Sequence, residues 1–344
     1  MNPDRNCAIL TASFPFAPSL TLPAPMELRQ LRYFVAIASH GSLSQAATRL
    51  HVAQSALSHQ LAQLEDELGA ALFDRLPRGV TLTAAGRAFH AHAEAILRQV
   101  EAARASVHGD AATPAGKVIV GIPHSLSQAL ALPLLKAVRA TLPLVELELT
   151  EELTGNLVPQ LRAGQIDLAL LFADGTLDEF RHLPLLDEEL LLISPPAEAP
   201  LTAPDLAAAL RLPLILPAAP HGVRPIIEAA ARAAGLAAPN VVAEISSISI
   251  LRTSLLAGLG HTLLPPMPLQ RELAEGRLSA LPLAGRPLHR QVELCTARHL
   301  PPSMAAQAVA GLCRTLAEHL CADGVWQGAR SLDPVVLAEL HGRP

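Results

Sequence analysis

Lysine is nearly missing from this chain. Lys117 and Lys136 stand alone among 26 cationic side chains, and the rest are arginine. The formal net charge is −5, which excludes a nucleic-acid binder that works by bulk positive charge. Any DNA contact must come from a local patch. Even residues 26–110 hold eight Arg against eight Asp and Glu, so such a patch has to be announced by a motif. The arginine bias is what a GC-rich genome produces, although arginine also suits phosphate forks and base edges.

Cysteine is scarce as well: Cys7, Cys295, Cys313 and Cys321. None forms a CxxC and none pairs with a histidine at metal spacing. Free thiols in a reducing cytoplasm are the simple reading; a Cys313–Cys321 redox pair is the alternative to two buried core thiols. No unbroken apolar run reaches about 18 residues, so no membrane span is expected. There is no GxSxG, no Walker A loop, no GxGxxG and no nucleophile–base grouping, so the chain is not read as an enzyme. The fourteen histidines offer no HExxH, and His90-Ala91-His92 points to two faces of a helix. No metal and no cofactor are expected.

What is present is length and apolar content. A chain of 344 residues, half of them hydrophobic and 17% charged, can build two or three domains with sizeable cores. Residues 1–25 are apolar and proline-rich. Asp4 and the repeated prolines argue against a signal peptide. The stretch reads as a disordered extension, or as the product of a start codon assigned too early, with Met26 the true start.

From Met26 to about Val107 the pattern is helix, helix, helix, hairpin, long helix. In the first helix Leu28, Leu31, Val35 and Ala38 share a face, with Phe34 beside them. His40-Gly41 ends it. Ser42-Leu43-Ser44-Gln45 spells a capping box, and Leu43, Ala46, Ala47 and Leu50 face inward after it. A third helix over Ser55–Leu68 carries Leu57, Leu61, Leu64 and Leu68 as one buried stripe. Its other face shows Ser55, Ser58, His59 and Ala62. Leu72–Arg75 and Val80–Leu82 flank the hairpin tip Pro77-Arg78-Gly79. Thr83 is placed to cap a helix of about 24 residues whose Phe89, Ala93, Ile96, Val100 and Ala103 follow a near-heptad rhythm, the stripe of a dimerisation helix.

Residues 108–116 read as a hinge. Beyond it strands alternate with helices, an α/β pattern. Strands are expected at Val118–Ile122, Val145–Thr150, Leu168–Phe172, Leu190–Ile193, Leu214–Leu216, Val241–Ile245, His261–Leu264 and Val292–Thr296. Helices fall at about 125–141, 155–163, 204–210, 222–235, 247–257 and 303–321. Leu190–Ile193 looks like the crossing into a second lobe and His261–Leu264 like the return. The tail from Ala322 reads as peripheral.

The stretch Leu28–Gly86 resembles the LysR-type regulator family. It carries the RYF first helix (Arg32, Tyr33, Phe34), the GSLSQAA second helix and the SALSHQLAQLE third helix. The LGAALFDR wing and the LTAAG that opens the long helix follow in order. The later segments GQIDLALLF and LLAGLGHTLLP resemble the family's effector domain. LPLILPAAPHGVRPIIEAAARAAGL is similar to the subgroup of nitrogen-assimilation-control regulators.

The resemblance implies an N-terminal winged helix-turn-helix over 26–82 and a linker and dimerisation helix over 83–107. A bilobal, periplasmic-binding-protein-like (type 2) effector domain follows over 117–321. Its first lobe spans about 117–187 and 265–321, its second about 188–264, with 322–344 outside. It implies a sequence-specific transcription regulator of double-stranded promoter DNA that forms a homodimer or homotetramer, meets RNA polymerase and responds to a small-molecule effector between the lobes. A solute-binding protein without DNA function is the alternative.

A helix-turn-helix puts the start of its second helix into the major groove. That makes Gln54, Ser55, Ser58 and His59 the base and phosphate readers. Arg75 and Arg78 would serve the wing, and Arg29, Arg32 and Arg49 are further phosphate candidates. The family often carries arginine where His59 stands, which weakens the local charge. For the effector, Ser125, Ser127 and Gln128 open a helix after a strand, and Ser247 opens another. The loop with Ala218 and His221 is a third candidate. It lacks the hydroxyl the family often has there, which allows a more apolar effector, or none.

Overall fold

The computed structural model describes residues 26–76, 79–107, 113–173, 175, 177–218 and 222–332. It falls into two compact units that divide between Ala93 and Glu94. Residues 1–25, Arg78 and His221 lie outside the described residues.

The first unit holds α1 (Leu28–His40), α2 (Leu43–Leu50), α3 (Gln54–Leu68), the hairpin β1 (Phe73–Leu76) and β2 (Gly79–Leu82), and the start of α4 (Ala84–Val107). The face of α1 that is buried carries Gln30, Leu31, Phe34 and Ile37. This corrects the expected stripe, because Leu28 is exposed and Val35 and Ala38 are half-buried. The cause is Phe34: its ring takes the centre, 5.2 Å from Phe73 and 5.1 Å from Phe89, and the helix turns to deliver it. At the start of α2 the Ser42 hydroxyl accepts from the Gln45 N–H at 3.5 Å. The reciprocal arrangement expected there is found at α1 instead, where Glu27 N donates to the Gln30 side chain at 2.8 Å.

The second unit begins with β3 (Gly116–Pro123), α5 (His124–Thr141), β4 (Val145–Glu152), α6 (Thr154–Arg162) and β5 (Leu168–Phe172). It continues through β6 (Phe180–Ser194), α7 (Leu206–Arg211), β7 (Leu214–Leu216), α8 (Arg224–Ala233), β8 (Val241–Glu244), α9 (Ile248–Leu256) and β9 (Thr262–Leu264). It ends with α10 (Gln270–Ala274), β10 (Ser279–Leu281), β11 (Leu288–Ala297), α11 (Met304–Ala322) and β12 (Ala329–Ser331). β3 runs parallel to β4 and β5, and β11 is antiparallel to β5 and β6.

Two lobes follow from separate apolar clusters. The first packs Val120, Leu126, Leu130, Leu170, Phe172 and Val309 between sheet, α5 and α11. The second gathers Leu192, Leu216, Ile227, Leu251 and Leu263 around β7 and β8. β6 serves both: its first part pairs with β11 and its end with β9 and β10.

β6 is far longer than the expected Leu190–Ile193. Pro184 and the acidic run Asp187-Glu188-Glu189 look like a loop in sequence. In the fold Glu188 is fully buried against Arg290, which neutralises the charge and lets the strand run through. The tail reading is corrected for the same reason. Trp326 is fully buried and β12 pairs with β6, so the described residues after Ala322 belong to the domain. The short elements α10, β10 and β12 carry no periodicity long enough to be read. No described helix is long and apolar enough to cross a membrane.

Candidate nucleic-acid interface and effector site

The geometry of the first unit is set from the inside of α3. Leu57, Leu61 and Leu64 are buried, each stabilising by about 2 kcal/mol. Leu68, expected in the same stripe, is 37% exposed because Gly69 ends the helix there in a left-handed turn. With that face inward, Gln54, Ser55 and His59 are exposed and Ser58 is half-buried. His51 forms the turn that aims the helix. It takes left-handed backbone at φ 55°, a conformation few non-glycine residues adopt. No side-chain hydrogen bond caps the first turn of α3, so its N–H groups face outward beside Gln54 and Ser55, where an anion is favoured.

The wing is tied to α3 by Glu65, a residue the sequence reading passed over. Its carboxylate accepts from Leu72 N at 2.7 Å and from Phe73 N at 3.3 Å. Val80 N donates to Gly41 O at 2.8 Å, which docks the hairpin on the turn between α1 and α2. Thr83 caps α4 by accepting from Gly86 N at 2.9 Å and donates to Ala71 O at 2.8 Å. Arg75 on β1 is exposed, as are Arg32 and Arg49. Arg29 is exposed too and lies 3.0 Å from Glu27, so part of its charge is already answered.

The expected dimerisation stripe divides. Phe89 packs on Phe34 and Ala93 is fully buried in the single chain. Ala93 is thus used inside the chain, which corrects its assignment to a partner helix, while Phe89 is half-buried. Ile96 stays 42% exposed; Val100 is half-buried and Ala103 exposed.

In the second unit, Ser125 sits in the first turn of α5, fully buried, and its hydroxyl has no hydrogen-bond partner. Ser127 is engaged within its own lobe: its hydroxyl donates to Glu151 at 2.6 Å, and His124 Nδ1 lies 3.2 Å from the same carboxylate oxygen. Gln128 is exposed. Ser247 caps α9, accepting from Ile250 N at 3.4 Å, and Ala218 is half-buried after β7. Ser125 and Ser247 thus open helices on different lobes. Where the lobes meet, Gly222 abuts the Phe172 ring so closely that a Cβ would lie 2.4 Å from it. Neither residue was singled out from the sequence; a glycine two residues before a helix and a strand-end phenylalanine carry no distinctive signal. Among the described residues no group of His, Cys, Asp and Glu is arranged to hold a metal.

Comparison with known proteins agrees with both halves. The bacterial regulatory helix-turn-helix protein, lysR family, matches residues 28–87. The LysR substrate binding domain matches residues 111–318. The chain is 40% identical over 241 residues to the nitrogen assimilation regulatory protein nac of Klebsiella aerogenes, across 70% of this chain and 78% of that one. A C206 mutant of Corynebacterium glutamicum OxyR shares the fold with a TM-score of 0.59 at 26% identity, over 88% of this chain and 97% of that one. Full-length CbnR, solved with its target DNA, does so with a TM-score of 0.57 at 23% identity, over 85% and 100%. The relatives are transcription regulators and not plain solute-binding proteins. A winged helix-turn-helix with an outward α3, followed by a two-lobed α/β domain, therefore belongs to the LysR family, and the chain is a DNA-binding transcription regulator of that type.

Proposed function

We propose that this regulator reads promoter DNA with the exposed start of α3. Gln54, Ser55, Ser58 and His59 are the groove-facing set, with Arg75 and Arg78 on the wing. Arg29, Arg32 and Arg49 serve phosphates. The observation that carries this is the division of α3, leucines buried on one side and hydroxyl, amide and imidazole groups exposed on the other. Glutamine suits adenine and serine either base or phosphate. CbnR, of the same fold, was solved with its target DNA, which supports the placement.

Two chains pair through Ile96, Val100 and Ala103, and pairs assemble into tetramers that place recognition helices on half-sites about one DNA turn or a multiple apart. A small molecule between the lobes shifts the assembly between two shapes and so changes how RNA polymerase is met. Ser125 is the strongest effector contact, since its buried hydroxyl lacks a protein partner and a buried unsatisfied group calls for one. Ser247 and Ala218, with His221, are the candidates contributed by the second lobe. Ser127 is a weaker candidate because Glu151 holds it, and Gln128 remains an exposed neighbour. The protein works in the cytoplasm, where promoter DNA and reduced thiols are found together.

A gel-shift titration with the promoter of the adjacent gene tests this. A specific shift that weakens steeply with salt is expected. Equal affinity for unrelated DNA at every salt concentration would refute sequence reading by α3.

A further inference from the structure

β6 and β11 are the two strands by which the backbone passes between lobes: β11 starts at Leu288 in the second cluster and reaches Val292 and Leu294 in the first. Glu188 lies at the first crossing, opposite Arg290 on β11, and both side chains are fully buried. Arg290 places Nε 2.9 Å and Nη2 2.5 Å from Glu188 Oε2, and its guanidinium lies 4.0 Å over the Phe172 ring. A buried pair gains from every remaining polar atom that is satisfied; Arg290 Nη1 has no hydrogen-bond partner. Glu188 Oε1 finds its partner outside the two crossing strands: Trp326 Nε1 donates to it at 3.0 Å.

Trp326 opens a segment that lies along the first crossing and, through Glu188, bears on Arg290 of the second. Glu189 N donates to Gly328 O at 2.8 Å, and Leu332 N to Leu185 O at 2.9 Å. Between them β12 pairs residue by residue with Leu186, Asp187 and Glu188. Arg330 reaches Asp187 at 3.0 Å, and His289 holds the same carboxylate at 3.0 Å. Gly328 has φ +70°, and a Cβ there would meet the Pro266 ring at 2.6 Å. The segment is thus seated on the β6 crossing and pressed against Pro266, in the chain between β9 and α10, at once. The match to the LysR substrate binding domain ends at residue 318, before it begins.

We propose that residues 323–332 form a clasp over the pivot between the two lobes and set the angle at which they rest. Rotation of one lobe must shear Gly328 past Pro266 or break the bonds to Glu188 and Glu189. The clasp stiffens the pivot, and the effector works against it. This goes beyond the DNA and effector roles above, and its test needs neither ligand nor operator.

The experiment is hydrogen–deuterium exchange of the full-length protein, wild type against Trp326→Phe and Arg330→Ala. Phenylalanine keeps the ring packing and removes the donor to Glu188. Arg330 is 67% exposed, so its truncation leaves the core filled. Amides of 186–194 and 288–292 are expected to exchange about tenfold faster or more in Trp326→Phe, the factor for losing a hydrogen bond to a charged group. In Arg330→Ala the same amides accelerate less, and those of 28–76 do not change in either variant. Should Trp326→Phe unfold the whole domain, Arg330→Ala decides alone. Acceleration confined to 323–332, with both crossings unchanged, overturns the clasp. Trp326 is the sole tryptophan of the chain, so acrylamide quenching of its fluorescence gives a second readout: quenching must rise in Arg330→Ala, and identical quenching with unchanged exchange rejects the proposal.

Discussion

Gly86 lies against Leu72 so closely that a Cβ would come within 2.0 Å of the Leu72 carbonyl oxygen. The obstacle is backbone, so no side-chain rotation can make room. Leu72 O is itself held, accepting from Thr83 N at 3.0 Å, and Leu72 N is fixed by Glu65. Gly86→Ala must push α4 away from the wing. We expect a loss of about 3 kcal/mol or more, the upper range for overpacking, read as a lower urea midpoint for the N-terminal unit. An unchanged midpoint rejects the close approach.

The proposed DNA contacts make a graded prediction. Gln54→Ala or Ser58→Ala should cost about 1–3 kcal/mol at a specific site and relax its sequence preference. His59→Arg should act through charge, raising affinity for all DNA and steepening the salt slope by about one unit. Both follow from fluorescence anisotropy at several salt concentrations. Unchanged affinity in both alanine variants would show that the start of α3 is not in the groove.

The first unit was legible because a helix-turn-helix is a local object. Its caps, leucine spacing and glycine stops lie within a few residues of one another. Thr83 and the α3 leucines Leu57, Leu61 and Leu64 stand where the sequence spacing put them. The strands Leu168–Phe172 and Leu214–Leu216 were legible for the same reason, as short apolar runs. What could not be read was any feature made by distant segments. Glu188 looks like a loop residue until Arg290, 102 positions away, and Trp326, 138 away, close on it. Phe89 fits a coiled-coil seam until Phe34 claims its ring. Ser127 reads like Ser125 in sequence, yet Glu151 on the neighbouring strand engages one hydroxyl and leaves the other alone.

His261 supplies a pH dependence. It is buried, its Nδ1 lies 2.7 Å from the Ser194 hydroxyl, and Glu198 is 3.9 Å from Nε2. Burial lowers its pKa below 6.5, and Glu198 offsets this only in part. A histidine so lowered is neutral in the folded state when the unfolded chain already takes a proton. Its contribution is therefore complete above 6.5 and is lost as pH falls from there through the folded value. Urea unfolding at a series of pH values should show wild type losing stability below 6.5 more steeply than His261→Gln. Parallel curves would remove His261 as the cause.

The thiols make a negative prediction. Cys313 is pushed up to about 12 and Cys321 to about 11, both by burial, and Cys295 is raised further by burial and the nearby Glu293. A thiol near 11 is ionised about once in ten thousand molecules at pH 7. Cys313 and Cys321 also sit on one helix, about 12 Å apart along its axis, beyond the roughly 4.4–6.8 Å between Cα atoms that a disulfide spans. In a Cys7→Ser background, dithionitrobenzoate should label the native protein slowly and the urea-unfolded protein at once. Peroxide should leave the gel shift unchanged. Fast labelling of Cys321, or a Cys313–Cys321 crosslink by mass spectrometry, overturns this.

The linker helix separates two roles that one apolar stripe had joined. Phe89 packs on Phe34 and Ala93 is buried inside the chain, so Phe89→Ala should lower stability, by less than the roughly 3–5 kcal/mol of emptying a fully buried aromatic site because Phe89 is half-buried, with assembly intact at low temperature. Ile96 is 42% exposed in the single chain. Ile96→Glu therefore costs little in the monomer and places a carboxylate in the proposed seam between two helices, where an unpaired buried charge is strongly unfavourable. Sedimentation velocity should find Ile96→Glu shifted toward monomer with its circular dichroism unchanged, and its operator affinity should fall because two half-sites are no longer held by one particle. An Ile96→Glu protein that sediments like wild type places the dimer contact elsewhere on the chain.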